Sequence, residues 1–115
     1  MSIVEKLIDG AIADINVLRS LDVQGDKFTS FRDVDFLLRA PSQEKAELVA
    51  GFMNEYQYGA ATTTVDEDSN HSVQVIINMP VTQNLILSVS GFMTCIAAVY
   101  GLEFDGWGCT SQSKT

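Results

Sequence analysis

Two hydrophobic periods follow one another along this chain in an order that few folds accommodate. In SVQVIINM (72–79), Val73, Val75, Ile77 and Met79 fall on one face at period two, and Pro80 closes the run. In SFRDVDFLLRA, Val34, Phe36 and Leu38 alternate with Asp33, Asp35 and Leu37 until Pro41 ends a first strand. Between these strands the period changes to helical. Ser42 stands where an N-cap belongs, Glu44 lies in the first turn, and Ala46, Val49, Phe52, Met53 and Tyr56 form one stripe. Gly59 is the expected stop. AATTTV then reads as a strand and DEDSNH as a polar turn. A helix is expected from about Gln83 to Tyr100, with Gly101 as its stop, and LEFDGWG opens a last short strand. Ahead of all this, Ile3, Val4, Leu7, Ile8, Ala11, Ile12, Ile15 and Leu18 predict an amphipathic helix over 2–20, and Gly25 breaks it into a loop.

The sum is a helix followed by β-α-β-β-α-β. That pattern predicts an α+β, ferredoxin-like fold: an antiparallel sheet of order 4-1-3-2 with two helices on one face and an extra N-terminal helix. The 115 residues make one domain, with a core of about 12–109 and a disordered tail at 110–115.

Charge narrows the partners. The formal net charge is −8, with 15 acidic residues against 7 basic ones. Phosphate neutralisation requires Lys and Arg, so the charge argues against direct nucleic-acid binding; if it has a use beyond solubility, a basic partner fits better. The uncharged stretch Val81–Leu102 is long enough to span a bilayer. Thr82, Gln83, Asn84, Ser88, Ser90 and Thr94 dilute it and no Lys or Arg flanks it, so a buried helix is the expectation. Two cysteines and an acidic start without a signal pattern point to a cytoplasmic chain with reduced thiols.

Chemistry-bearing motifs are absent. DEDSN has the acidic spacing of a calcium loop, but His71 replaces its glycine and Ile77 its final glutamate. His71, Cys95 and Cys109 do not have zinc-ligand spacing, and no phosphate loop, GxSxG or HExxH occurs. No catalytic, metal or cofactor site is predicted. What remains is a surface. If Val34, Phe36 and Leu38 face the core, Asp33 and Asp35 face the other way, joined by Gln74, Ile76 and Asn78. With Phe104 inward, Glu103 and Asp105 join them too. This face is either solvated, or covered by the first helix, or a docking site for a basic polypeptide. Trp107, between Gly106 and Gly108, is aimed back onto the domain by a turn after the last strand. It serves either as a packed side chain or as a partner contact.

These residues also carry a resemblance. LEFDGWGC resembles the near-terminal Tyr/Phe-Asp-Gly-Trp-Gly motif of the RraB family, the regulators of ribonuclease E activity B. INVLRSLDVQGDKFTSFRDVDFLLRA is similar to that family's leading helix, Gly-Asp loop and first strand, and AELVAGFMNEYQYGA to its first covering helix. The resemblance spans roughly residues 12–109. It implies a non-enzymatic inhibitor that binds ribonuclease E outside its catalytic centre, with the nuclease's Arg-rich scaffold region as the natural partner of an acidic domain. The best-known members carry a long acidic C-terminal tail, where this sequence reads TSQSKT. The partner-contact residues so expected are Asp33, Asp35, Glu103, Asp105 and Trp107, for ribonuclease E or another basic protein. Two other classes stay open: a small-molecule-binding or dimeric regulatory domain, for which the polar helix face of Asn84, Ser88, Gly91 and Cys95 is available, and an enzyme using Cys95 or Cys109.

Overall fold

Alternation at period two becomes sheet, and period 3.6 becomes helix. The computed structural model describes residues 1–112. Its elements are α1 (Ile3–Val23), β1 (Arg32–Ala40), α2 (Gln43–Glu55), β2 (Ala60–Val65), β3 (His71–Met79), α3 (Gln83–Tyr100) and β4 (Glu103–Cys109). The four strands form one sheet in the order β2-β3-β1-β4, every pair antiparallel. This is the predicted 4-1-3-2 arrangement, α+β and ferredoxin-like, with a helix added at the N-terminus.

Register explains the core. Val34 faces Ile77, Phe36 faces Val75 and Leu38 faces Val73, so the apolar set of each strand lies on the same side. Val34, Phe36, Leu38, Val73 and Val75 are fully buried. Against them α2 sets Ala46, Val49 and Met53, α3 sets Ile86, Met93 and Ala97, and α1 sets Leu18 and Leu21. Each large side chain buried in this way contributes about 1.5–3 kcal/mol of transfer free energy. The helix starts are capped as serines should cap them. Ser2 Oγ accepts from Glu5 N at 3.1 Å, and Ser42 Oγ accepts from Lys45 N at 3.2 Å.

α1 lies on the helix side of the sheet, against α3, where Leu7 packs beside the bare backbone of Gly91. It therefore leaves the opposite face of the sheet uncovered among the described residues. α3 carries no charge and is apolar enough, by length and composition, to cross a membrane, with a mean hydropathy of 1.4. In the fold it buries Ile86, Ser90, Met93, Thr94 and Ala97 and turns Asn84, Leu85, Ser88, Cys95 and Val99 outward.

Three local expectations are corrected. The stop of α2 is not Gly59: the helix ends at Glu55, Tyr56 caps it, and Gln57 takes the left-handed conformation at φ 59°. Gly59 has a different job, since a Cβ there would stand 2.7 Å from Val75 Cγ1 and 3.0 Å from the Ile76 carbonyl oxygen. The start of β2 can thus lie close to β3 only without a side chain. The tail is not disordered from residue 110. Lys27 N donates to Gln112 O at 2.6 Å, and Gln112 N donates to Asp26 Oδ2 at 2.8 Å. Residues 113–115, the rest of the expected disordered segment, lie outside the described residues.

The third correction concerns Trp107, which lies inside the last strand rather than after it. β4 pairs Phe104 with Leu38 but Trp107 with Phe36, so the register shifts and β4 carries an extra residue at Asp105–Gly106. Gly106 takes φ 94°, a conformation open to glycine and costly to other residues. Strict alternation from Phe104 would send Trp107 to the open face with Glu103 and Asp105. The bulge sends it to the helix side instead. Gly106→Ala is expected to cost about 1–2 kcal/mol, read as a lowered urea midpoint together with a change in Trp107 emission. An unchanged midpoint would contradict this account of the bulge.

Candidate functional site

The open face is built from the odd residues of β1 and their neighbours. Asp33 faces Asn78, Asp35 faces Ile76 and Leu37 faces Gln74 across β1 and β3. Across β1 and β4, Arg39 faces Glu103 and Asp35 faces Gly108. Gly108 offers no side chain there, and the Asp35 carboxylate lies 3.7 Å from where its Cβ would stand. Asp33, Asp35, Glu103 and Asp105 are therefore brought to one face on two adjacent strands, as the alternation implied.

Their electrostatics differ from four bare charges. Asn78 Nδ2 donates to Asp33 Oδ1 at 3.0 Å. Arg39 Nη2 approaches Asp105 Oδ2 at 3.0 Å and its Nε donates to the same oxygen at 3.1 Å, an exposed pair of small energetic weight. Arg39 was missed at the sequence level although it is simply the next odd residue after Leu37. It reduces the face from four negative charges to a net of three. Asp35 and Glu103 make no ion pair among the described residues.

Trp107 is not on this face. Its ring is half-buried against the core, and its Nε1 donates to Asp14 Oδ1 of α1 at 2.8 Å. Asp14 is only 4% exposed. Burial pushes its carboxyl above the ordinary carboxylate range, and the neighbouring Ser90 hydroxyl and the Trp107 N–H pull it part of the way back. Asp14 is a second residue the sequence reading passed over. The signal was available: it falls three residues after Ala11 and four before Leu18, inside the apolar stripe of α1.

A buried ion pair closes the far end of the domain. Arg32 Nη1 meets Asp26 Oδ2 at 2.7 Å with both side chains almost wholly buried. Other guanidinium donors go to the carbonyls of Lys27 at 2.7 Å, Ser30 at 3.2 Å and Thr110 at 3.4 Å. This is scaffolding, tying the Gly25–Ser30 loop to β1 and to residues 110–112.

The two thiols and His71 lie apart in the fold. Burial pushes the Cys109 thiol up, with Arg32 acting in the opposite sense. His71 pairs with Ala40 and Cys109 with Val34, at opposite ends of β1, a separation of roughly 20 Å at strand rise. Cys95 is exposed on α3. No group of three potential metal ligands occurs among the described residues. The DEDSN turn is a hairpin turn held by Asp66, which accepts from Asp68 N and Asn70 N at 2.9 Å; those bonds, led by Asn70, hold its carboxyl below the usual range. An aromatic seam between α2 and α3, with Phe52 and Tyr58 at 5.4 Å and Tyr58 and Phe92 at 4.7 Å, also escaped the sequence reading, because its partners come from separate elements.

The geometry is thus that of a small scaffold with one uncovered, acid-bearing sheet face. No curated protein matches the sequence. The family model described as Regulator of ribonuclease activity B matches residues 11–109, nearly the whole of the folded domain. The chain belongs to the RraB family of ribonuclease regulators.

Proposed function

We propose that this protein acts in the cytoplasm as a non-catalytic regulator that binds ribonuclease E and restrains its RNA-degrading activity. The open sheet face would receive the nuclease's basic scaffold region. The observation that carries the reading is the uncovered face with Asp33, Asp35, Glu103 and Asp105 on neighbouring strands, in a chain of net charge −8 whose family is one of ribonuclease regulators. An RNA-binding domain of similar topology would need basic and aromatic residues on that face. Here a polyanion would be repelled and a Lys- or Arg-rich segment attracted.

Calorimetry with ribonuclease E and with its isolated basic scaffold region tests the reading. Binding should weaken as salt rises, because exposed charges are screened. The double variant Asp33→Asn with Asp35→Asn should keep stability within about 0.5 kcal/mol. It should slow association by about threefold to tenfold at low salt, with a smaller change in dissociation. A folded double variant that associates at the wild-type rate would remove the acidic face from the mechanism.

A further inference from the structure

Between α1, α3 and β4 lies a cleft of about 400 Å³. Ala97, Leu102 and Phe104 give it apolar walls. Gly10 lies at its border, and a Cβ built there would meet no atom within 4 Å. Nothing in the packing of α1 requires glycine at that position, although glycine weakens a helix interior. Its effect is to keep the cleft open.

The charges around the cleft lean acidic: Asp9, Glu103 and Asp105 border it, against Lys6 and the Met1 amino terminus. The second observation is Asp14, which lines the cleft while being 4% exposed. Its Oδ1 takes the Trp107 N–H, whereas its Oδ2 is sealed from solvent and, with the Ser90 hydroxyl near the carboxyl, makes no hydrogen bond of ordinary geometry. A buried carboxylate oxygen without a donor is costly, and a charged donor supplies the most. Glu103 and Asp105 belong both to this cleft and to the open face, so a chain crossing the free edge of β4 would touch both.

We propose that the cleft receives an arginine side chain of the basic polypeptide that docks on the adjoining sheet face, with the guanidinium reaching Asp14 and the methylenes lying along Phe104 and Leu102. This rests on the reading of a basic protein partner given above, and adds to it where one residue of that partner is held. Arginine suits the site because its stem is apolar and its planar head carries several donors.

Trp107 is a built-in reporter, being the one tryptophan of the chain and bonded to Asp14. The probe is a short peptide of alternating arginine and glycine, compared with the same peptide carrying citrulline, which keeps the shape and lacks the charge. The arginine peptide should change Trp107 emission and bind. The citrulline peptide should bind at least about tenfold more weakly, as loss of one charged hydrogen bond implies. Gly10→Met fills the cleft without altering charge and should weaken the arginine peptide by a similar factor, with an unchanged circular dichroism spectrum. Asp14→Asn, which keeps an acceptor for Trp107, should do the same. Equal binding of the citrulline peptide, or wild-type affinity in Gly10→Met, would overturn the assignment. Failures of the two readings separate cleanly. Arginine-peptide binding without ribonuclease E binding removes the named nuclease and keeps the cleft. Ribonuclease E binding untouched by Gly10→Met and Asp14→Asn removes the cleft and keeps the sheet face.

Discussion

Asp26→Ala is expected to lower the stability of the domain by about 3–5 kcal/mol, because it strands the Arg32 guanidinium in the interior without its counter-charge. Both side chains of this pair are essentially sealed, at 2% and 0% side-chain exposure. Asp26 Oδ2 also accepts the Gln112 N–H, so the same substitution leaves the Lys27 N–H to Gln112 bond as the backbone tie between the Gly25–Ser30 loop and the segment that follows β4. A domain of this size has about 5–15 kcal/mol in total. The variant should therefore sit near the unfolding threshold at 37 °C, with a urea midpoint far below wild type. A loss under about 1 kcal/mol would show that water or backbone movement satisfies Arg32, and that the pair does not hold the loop.

Trp107→Ala is the second large effect, expected at about 3 kcal/mol from lost packing and from the orphaned Asp14 carboxylate. Trp107→Phe separates the two contributions: it keeps most of the ring packing and removes only the N–H, for an expected loss of about 1–2 kcal/mol. The pH dependence has a definite sign. Asp14 has a raised pKa in the folded state, so the folded protein holds its proton at pH values where the unfolded chain has released it. The stabilisation from the neutral carboxyl is present at low pH and is lost as pH rises from the ordinary carboxylate range through the raised value. Lys6 and Asp9 of α1 and Glu103 and Asp105 of β4 surround the same cleft, while α3 contributes no charge. Asp14→Asn should flatten that window in denaturation curves, and Trp107→Phe should widen it by removing a donor that favours the charged form. A window unchanged in Asp14→Asn would assign the titration to another carboxyl.

The parts of this structure visible in the sequence are those governed by local period. β1 and β3 alternate so regularly that their core faces, their pairing partners and the position of Asp33 and Asp35 follow from parity alone. Parity also placed Glu103 and Asp105, because the reversal comes only at Gly106, after them. It fails at Trp107, since one residue with a left-handed backbone reverses every side chain beyond it. A Gly-Trp-Gly triplet cannot say whether its glycines make a turn or a bulge. Gly59 was misread for a similar reason: a glycine near a helix end is usually a stop, and this one instead marks a close approach between strands. The Asp26–Arg32 pair, the Asp14–Trp107 bond and the aromatic seam were out of reach for a different reason. Each joins residues whose proximity is decided by tertiary packing, and no spacing along the chain encodes it. The placement of α1 belongs to the same class: its stripe predicts a helix, and only the packing of Leu7 beside Gly91 decides which side of the sheet it occupies.

The central claim is that a basic segment of ribonuclease E docks on the open sheet face. The direct measurement is an amide and side-chain chemical-shift map of the isotope-labelled protein, recorded as the scaffold segment is titrated in at low and at moderate salt. The account predicts shifts concentrated at Asp33, Asp35, Leu37, Ile76 and Glu103 to Asp105, extending over the edge of β4 to the Trp107 indole N–H, and fading as salt is raised. Shifts confined to the outer surface of α2 and α3, around Tyr58, Cys95 and Val99, with the sheet face silent, would contradict it.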